Sequence, residues 1–192
     1  MPTRAGRMTP APGGGPAILA IGGSRRPGNN TGKALRIAVE ELRAGGGRVD
    51  WVRLEALKLP LPGEPSDSPD PEALRNKVLA SDAILIATPE YHGSISSTLK
   101  LAIDNLGFPS TLEGKTLAIL GVAMGPSADN ALAHLRHILT HIGGKVLPEQ
   151  ISVGSVHKKF GEDGRCLDPV VEEGIRRVAR ALLAAAGARA AR

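Results

Sequence analysis

The sequence predicts an α/β domain, a parallel β-sheet covered by helices on both faces. Three observations carry this. Short aliphatic runs and stripes of helical period alternate about five times along the chain, as they do when each helix returns the chain to start another parallel strand. Residues 83–88, AILIAT, are apolar at every position, as a central strand buried on both faces must be. The 192 residues are 42% hydrophobic but only 2% aromatic, so one domain of this length can bury a full core, built from Ala, Val, Ile and Leu.

In chain order, residues 17–23, AILAIGG, are the first strand, closed by glycines. A polar loop follows. Residues 32–43 then place Leu35, Val39 and Leu42 at helical spacing, and Gly45, Gly46 and Gly47 stop that helix. Residues 49–54 are a second strand, interrupted by Asp50 and Arg53. Residues 59–71, LPLPGEPSDSPDP, hold too many prolines for a regular element. Asp70 is expected to cap a short helix that has Pro71 at its first position and ends near Ala80.

Residues 83–88 are the third strand. Beyond it Leu99, Ala102, Ile103 and Leu106 form one helical stripe. Residues 116–123, TLAILGVA, are the fourth strand, and Leu132, Leu135, Leu139 and Ile142 mark the next helix. A last, short strand is expected at residues 145–147, before a final helix carrying Val171, Ile175, Val178 and Leu182 on one side. Glu172 and Arg176 form an i, i+4 pair on it. Residues 1–16, rich in Pro, Gly and Arg, are expected to be a flexible lead, residues 17–186 the domain, and residues 187–192 a flexible tail.

Composition narrows the function classes. The formal charge is +5, but Arg4, Arg7, Arg189 and Arg192 lie in the two tails, so the body is near neutral. Clustered Lys and Arg interleaved with aromatics are not seen, which argues against nucleic acid. No apolar run approaches the ~18 residues of a membrane span, and the N-terminus lacks the apolar core of a secretory signal. The single cysteine, Cys166, excludes an internal disulfide and suits a reducing cytoplasm. It sits in GEDGRCLDP with no nearby histidine, a poor setting for a nucleophile.

In open sheets of this class, ligands bind beyond the carboxyl ends of the strands, where the strand order reverses. Three loops qualify: GGSRRPGNNT after the first strand, TPEYHGSI after the third and GVAMGPSA after the fourth. In the first, Ser24, Asn29, Asn30 and Thr31 supply donors, Arg26 supplies a fixed charge, and a helix N-terminus follows. Together these make a phosphate cradle, with a capped turn and solvated arginines as the plainer reading. Gly28 to Gly32 encloses one residue too few for a Walker A loop, Ala34 replaces its Ser or Thr, and no G-x-G-x-x-G occurs.

In the second loop Pro89 and Gly93 set the shape. Backbone groups of Glu90, Tyr91 and His92 are expected to face outward, a rim suited to a flat heteroaromatic ligand with Tyr91 free to pack. A half-buried Tyr91 beside a surface histidine is the plainer reading. His134, His137 and His141 share a helix face opposite the leucine stripe. With no acidic or cysteine partner at hand they read as a solvated or subunit-facing surface rather than a metal site.

GSRRPGNNT resembles the phosphate loop of the NADPH-dependent FMN reductase family. TPEYHGSISSTLKLAIDNL is similar to that family's flavin-ring segment, and the LPLP run and FGEDGRCLDP agree with it. The resemblance spans residues 17–183. It implies a flavodoxin-like three-layer sandwich, with a five-stranded parallel sheet in the order 2-1-3-4-5 and FMN held without a covalent bond. Carried over by position, Ser24, Arg26, Asn29, Asn30 and Thr31 hold the phosphate. Pro89, Glu90, Tyr91, His92 and Gly93 line the isoalloxazine, and Ala123, Met124 and Gly125 approach it from the third loop.

The resemblance further implies an oxidoreductase that passes hydride from NADPH or NADH through FMN to a small acceptor: free flavin, a quinone, an azo compound or a metal oxyanion. The flavin carries the chemistry, so no side chain is required as general acid or base. It also implies a homodimer or homotetramer in which a neighbouring subunit covers part of the site. Two readings from other classes stand beside it: a flavodoxin-type electron carrier without NAD(P)H turnover, and a flavin-free scaffold. The chain departs from the family pattern in three places. His92 stands where many relatives carry asparagine, Ser96 and Ser97 replace a frequent proline-glycine pair, and the third loop is poorer in glycine.

Overall fold

The structure, a computed structural model, describes residues 14–190. The expected lead falls almost wholly on residues outside that span. Five strands and five helices alternate: β1 (Ala17–Gly22), α1 (Asn30–Ala44), β2 (Arg48–Arg53), α2 (Asp70–Ala80), β3 (Ala83–Pro89), α3 (Ser97–Asp104), β4 (Thr116–Val122), α4 (Asp129–His141), β5 (Lys145–Val153) and α5 (Pro169–Ala190). Every strand pair is parallel, and the order across the sheet is β2-β1-β3-β4-β5. Fold class and strand order are those implied by the sequence.

Helices cover both faces. Every residue of β3 and β4 is buried, which is why neither strand alternates polar and apolar side chains. On one face Ala20, Leu85 and Ala118 pack with Leu35, Val39 and Leu42 of α1 and with Ile175, Val178 and Leu182 of α5. On the other Leu19, Ile84, Ile86 and Ile119 pack with Leu74 of α2, Leu99 and Ile103 of α3, and Leu132, Leu135 and Leu139 of α4. The aliphatic stripes read from the sequence are the faces these helices bury.

Two local expectations change. Asp70 does not cap α2: Pro69 holds the cap position, and the Asp70 carboxylate accepts from the Lys58 amide at 2.7 Å instead. The irregular proline-rich segment needs that tie more than the helix does. β5 runs nine residues rather than three, through Pro148. It can do so because it is an edge strand, where a missing amide donor leaves no ladder bond unmade. The register shifts between Leu117 and Ile119 of β4 at the same place. α5 continues to Ala190.

α1 and α5 are also joined electrostatically. Glu41 bonds Arg176 at 3.1 Å and Arg180 at 3.0 Å, Arg176 bonds Glu172 at 2.6 Å, and Arg180 reaches Glu173. The hydrogen bond from Arg180, aided by that from Arg176, outweighs desolvation and holds the Glu41 carboxyl below its ordinary value of 4.5. A carboxyl with a lower pKa folded than unfolded stabilises the fold above the unfolded value. That contribution is lost as pH falls below 4.5 through the folded value. Glu41→Gln is therefore expected to lower stability near neutral pH, by an amount that shrinks as pH drops below 4.5. Urea titrations of both proteins across that range measure the difference.

Candidate functional site

All five strands point their carboxyl ends to one edge, and the strand order reverses between β1 and β3. Loop 1 (residues 23–29) leaves β1 at this seam. The Gly23 amide donates to the Ala87 carbonyl at 2.8 Å. A Cβ on Gly23 would lie 3.0 Å from Ala87 O, 3.1 Å from Leu99 Cβ and 3.2 Å from Ser96 Oγ, so a side chain there would crowd all three neighbours.

Ser24 is buried, and its hydroxyl accepts from the Arg26 amide at 3.4 Å. Arg25 to Gly28 are exposed, with Gly28 at φ +62° reversing the chain. Asn29 caps α1: its Oδ1 accepts from the Gly32 amide at 2.6 Å and its Nδ2 donates to the Arg26 carbonyl at 2.5 Å. Its side chain therefore shapes the loop and has little left for a ligand. The first turn of α1 carries no acidic residue. The amides of Asn30 and Thr31, the Thr31 hydroxyl and the Arg26 guanidinium bond nothing among the described residues. An uncompensated helix N-terminus beside a free guanidinium is an anion site by its electrostatics.

Loop 2 (residues 90–96) leaves β3 and closes at once into a two-residue hairpin. Tyr91 and Ser94 exchange both backbone bonds, at 2.9 and 3.1 Å, around His92 at φ +51° and Gly93 at φ +74°. Two positive φ values in succession make a type I′ turn. Outside glycine such values fall mostly to Asn, Asp and His, which accommodates His92 where the resemblance places asparagine.

The rim is thus narrower than the sequence implied. The Glu90 amide donates to Val122 O at 2.8 Å and the Tyr91 amide is used within the turn. Only the amides of His92 and Gly93 remain free. The Glu90 carboxylate turns away from the tip and accepts from the Ala131 amide at 3.0 Å. Ala131 lies in the first turn of α4, whose cap residue Ala128 has no acceptor of its own, so Glu90 caps that helix from a distance. His134 Nδ1 and Ser94 Oγ make a second tie at 3.0 Å. Ser96 accepts from Leu99 N at 3.1 Å to cap α3, and its hydroxyl donates to Gly23 O, joining loop 2 to loop 1.

Loop 3 (residues 123–128) leaves β4 beside loop 2, since Pro89 and Val122 are paired in the sheet. Ala123 is buried, while Met124 is 65% exposed and Gly125 faces open space. The segment after β5 holds this loop. Ser155 N donates to Gly125 O at 2.6 Å, Val156 N to Ala123 O at 2.9 Å, and Ala128 N to Ser152 Oγ at 2.7 Å. A Cβ on Gly154 would fall 1.8 Å from Pro126 O. Loops 2 and 3 thus present Tyr91, 43% exposed, and Met124 on one apolar edge.

A concavity lies on another side of loop 1. A cleft of about 420 Å³ sits on the outer flank of loop 1, bounded by Trp51, Arg53 and Glu55 after β2 and by residues 162–164. Ser24, Arg26 and Asn29 line it, but none of residues 89–93 or 123–125 does. Of the thirteen residues singled out in the sequence, three therefore line this cleft and the eight on loops 2 and 3 and at the end of β3 lie outside it.

Of the remaining candidates, His134, His137 and His141 are exposed on α4, with the rings of His137 and His141 stacked at 6.3 Å. Among the described residues no group of three His, Cys, Asp or Glu could hold a metal. Cys166 donates to Asp168 O at 3.3 Å, and burial pushes its thiol pKa up, which disfavours the thiolate. No helix among the described residues is long and apolar enough to cross a membrane. Gly23 as the contact between loops and the β2 end as a cleft wall went unread in the sequence. The Ser96 cap was legible from SISSTLK, but Glu90 and Ala131 are joined by a bond that no local pattern announces.

Comparison with known proteins gives a concordant result. The family model described as NADPH-dependent FMN reductase matches residues 16–158. An NAD(P)H-dependent FMN reductase of Pseudomonas aeruginosa is 32% identical over 173 residues, covering 86% of this chain and 92% of that protein. An NADPH azoreductase of a Bacillus species is 29% identical over 143 residues, 74% of this chain and 72% of that one. Among solved structures, the flavoenzyme NAD(P)H:(acceptor) oxidoreductase FerB of Paracoccus denitrificans superposes with a TM-score of 0.71 at 24% identity, covering 88% of this chain and 96% of that one.

Because Glu90 caps α4, Glu90→Ala is expected to cost about 0.5–2 kcal/mol of stability, the range for a lost helix cap. Glu90→Gln keeps an acceptor and should recover most of it. Thermal and urea unfolding of the two variants check this, and equal losses would show that the carboxylate does not act as the cap.

Proposed function

The chain belongs to the NADPH-dependent FMN reductase family, and we propose that its sheet-edge loops hold one FMN, with the phosphate on loop 1 and the ring against loops 2 and 3. FMN with NAD(P)H is the redox system of this chain, an oxidoreductase. The residues present fit the cofactor. The α1 N-terminus has no acid in its first turn and leaves the Asn30 and Thr31 amides unpaired, a setting that suits an anion. That observation carries the reading. The exposed side chains of Tyr91 and Met124 border a flat surface suited to a tricyclic ring.

In this reading Ser24, Arg26, Asn30 and Thr31 bind the phosphate directly, and Asn29 keeps the loop in shape. The free amides of His92 and Gly93 meet the polar edge of the ring, while Pro89 and Ala123 support it from below. Glu90 positions the hairpin rather than touching the ligand. Tyr91, Met124 and Gly125 shape its apolar rim. Bound FMN takes hydride from NAD(P)H and delivers reducing equivalents to an acceptor.

Relatives named as FMN, azo and quinone reductases support an acceptor class of quinones, azo compounds, free flavin and metal oxyanions. Family membership favours this enzyme over a flavodoxin-type carrier, which would oxidise NADPH negligibly. The setting is the cytoplasm, where a lone reduced cysteine and NAD(P)H are both at home. We place the assembly as a homodimer or homotetramer, with fully exposed Phe108 and with Met124 as candidate contacts. Light scattering on the purified protein decides between these states, and a monomer would rule out both.

Stopped-flow reduction of the FMN-loaded protein by NADPH and by NADH, followed by an acceptor panel, tests the activity and separates it from the carrier reading. Arg26→Ala is expected to weaken FMN binding by about 1–3 kcal/mol, the scale of a hydrogen bond to a charged group. Flavin fluorescence quenching reads the change. Unaltered affinity would remove Arg26 from the phosphate site.

A further inference from the structure

We propose that the cleft on the outer flank of loop 1 binds the phosphoadenylate end of NADPH and so sets a preference for NADPH over NADH. This rests on the flavin site proposed above, with which the cleft shares Ser24, Arg26 and Asn29, but turns on Arg36, Arg53 and Trp51 outside that site. Five cations line the cleft, Arg25, Arg26, Lys33, Arg36 and Arg53, against three carboxylates, Glu55, Glu162 and Asp163. Asp163 already accepts from the Arg165 amide at 3.0 Å and from its guanidinium at 2.6 Å, and these bonds hold its carboxyl below the usual range. None of the five cations has an ion-pair partner among the described residues. Lys33 reaches only the Gly161 carbonyl, and Arg25 the Glu55 carbonyl at 3.5 Å.

The cleft also has a flat wall. Trp51 is half-buried there, with the Arg53 guanidinium 5.3 Å from its ring centroid. An indole beside guanidinium groups can stack a purine and bind its phosphates together. The volume of about 420 Å³ lies within the range of small-molecule sites. One phosphate on loop 1 accounts for Arg26 but leaves Arg36, Arg53 and Trp51 without a ligand.

The position suits the second half of a dinucleotide. β2 lies next to β1 and two strand spacings, about 10 Å, from β3. A molecule whose nicotinamide meets the ring beside loop 2 can therefore cross loop 1 and bring its other end to the β2 side. NADH would place its adenosine there without the 2′-phosphate, leaving the cations uncompensated.

Trp51 is the only tryptophan in the chain, so its emission reports on the cleft with no cofactor present. The full-length protein is titrated with adenosine 2′,5′-bisphosphate, with adenosine 5′-monophosphate and inorganic phosphate as controls. We expect saturable binding of the bisphosphate about tenfold or more tighter than the monophosphate, since a charged hydrogen-bonded group is gained. The double variant Arg36→Glu/Arg53→Glu should bind the bisphosphate about tenfold or more weakly by calorimetry. Both residues are exposed, form no ion pair among the described residues and lie outside the proposed flavin site, so FMN affinity should fall far less than bisphosphate affinity. The variant should also raise KM for NADPH more than KM for NADH.

Equal binding of the two adenylates would overturn the inference. So would displacement of the bisphosphate by inorganic phosphate at equal concentration, or unaltered binding by the variant. Failure of the wild-type protein to bind FMN is a separate result. It removes the flavin reading beneath, while the bisphosphate titration still reports on the cleft.

Discussion

The site depends on one close contact at the seam between β1 and β3. Gly23 donates to Ala87 and accepts from the Ser96 hydroxyl, with backbone and side chains packed where a Cβ would have to go. Strand order reverses at this seam, so the loops on either side diverge and leave room for a ligand. Gly23 joins those diverging loops at their bases. A side chain there would crowd Ala87, Leu99 and Ser96, so glycine lets the two loops approach this closely.

Away from the seam, each loop is held mainly by bonds to other parts of the chain. Loop 1 is shaped by Asn29 and Gly28, loop 2 by its hairpin and by Glu90 on α4, and loop 3 by the segment after β5. The groups left without a partner among the described residues include two amides and a hydroxyl at the start of α1, one guanidinium, and two amides at the tip of loop 2. Preorganised donors of this kind need little ordering when a ligand arrives, so more of the contact energy appears as affinity.

Charge is distributed to match. The acid-rich contacts of α5 lie with Arg176 and Arg180, where they hold two helices together. The cations around loop 1 have no ion-pair partner. Paired charges contribute to the fold, and unpaired ones concentrated in a concave surface attract anions. The near-neutral body inferred from composition hides this polarity, because a sum over the chain carries no position.

The sequence by itself determined the strands, the helices and the faces they bury, because period and aliphatic content are local properties that burial then enforces. It also determined which loops line the sheet edge, through turn residues at fixed places and a motif shared with a family. Some features had to wait for three dimensions: Glu90 serving a helix 41 residues away, β5 extending past Pro148, Asn29 turned to its own helix, and the β2 end becoming a cleft wall. Each depends on where a side chain or strand edge lies relative to segments distant along the chain, and only packing sets that distance.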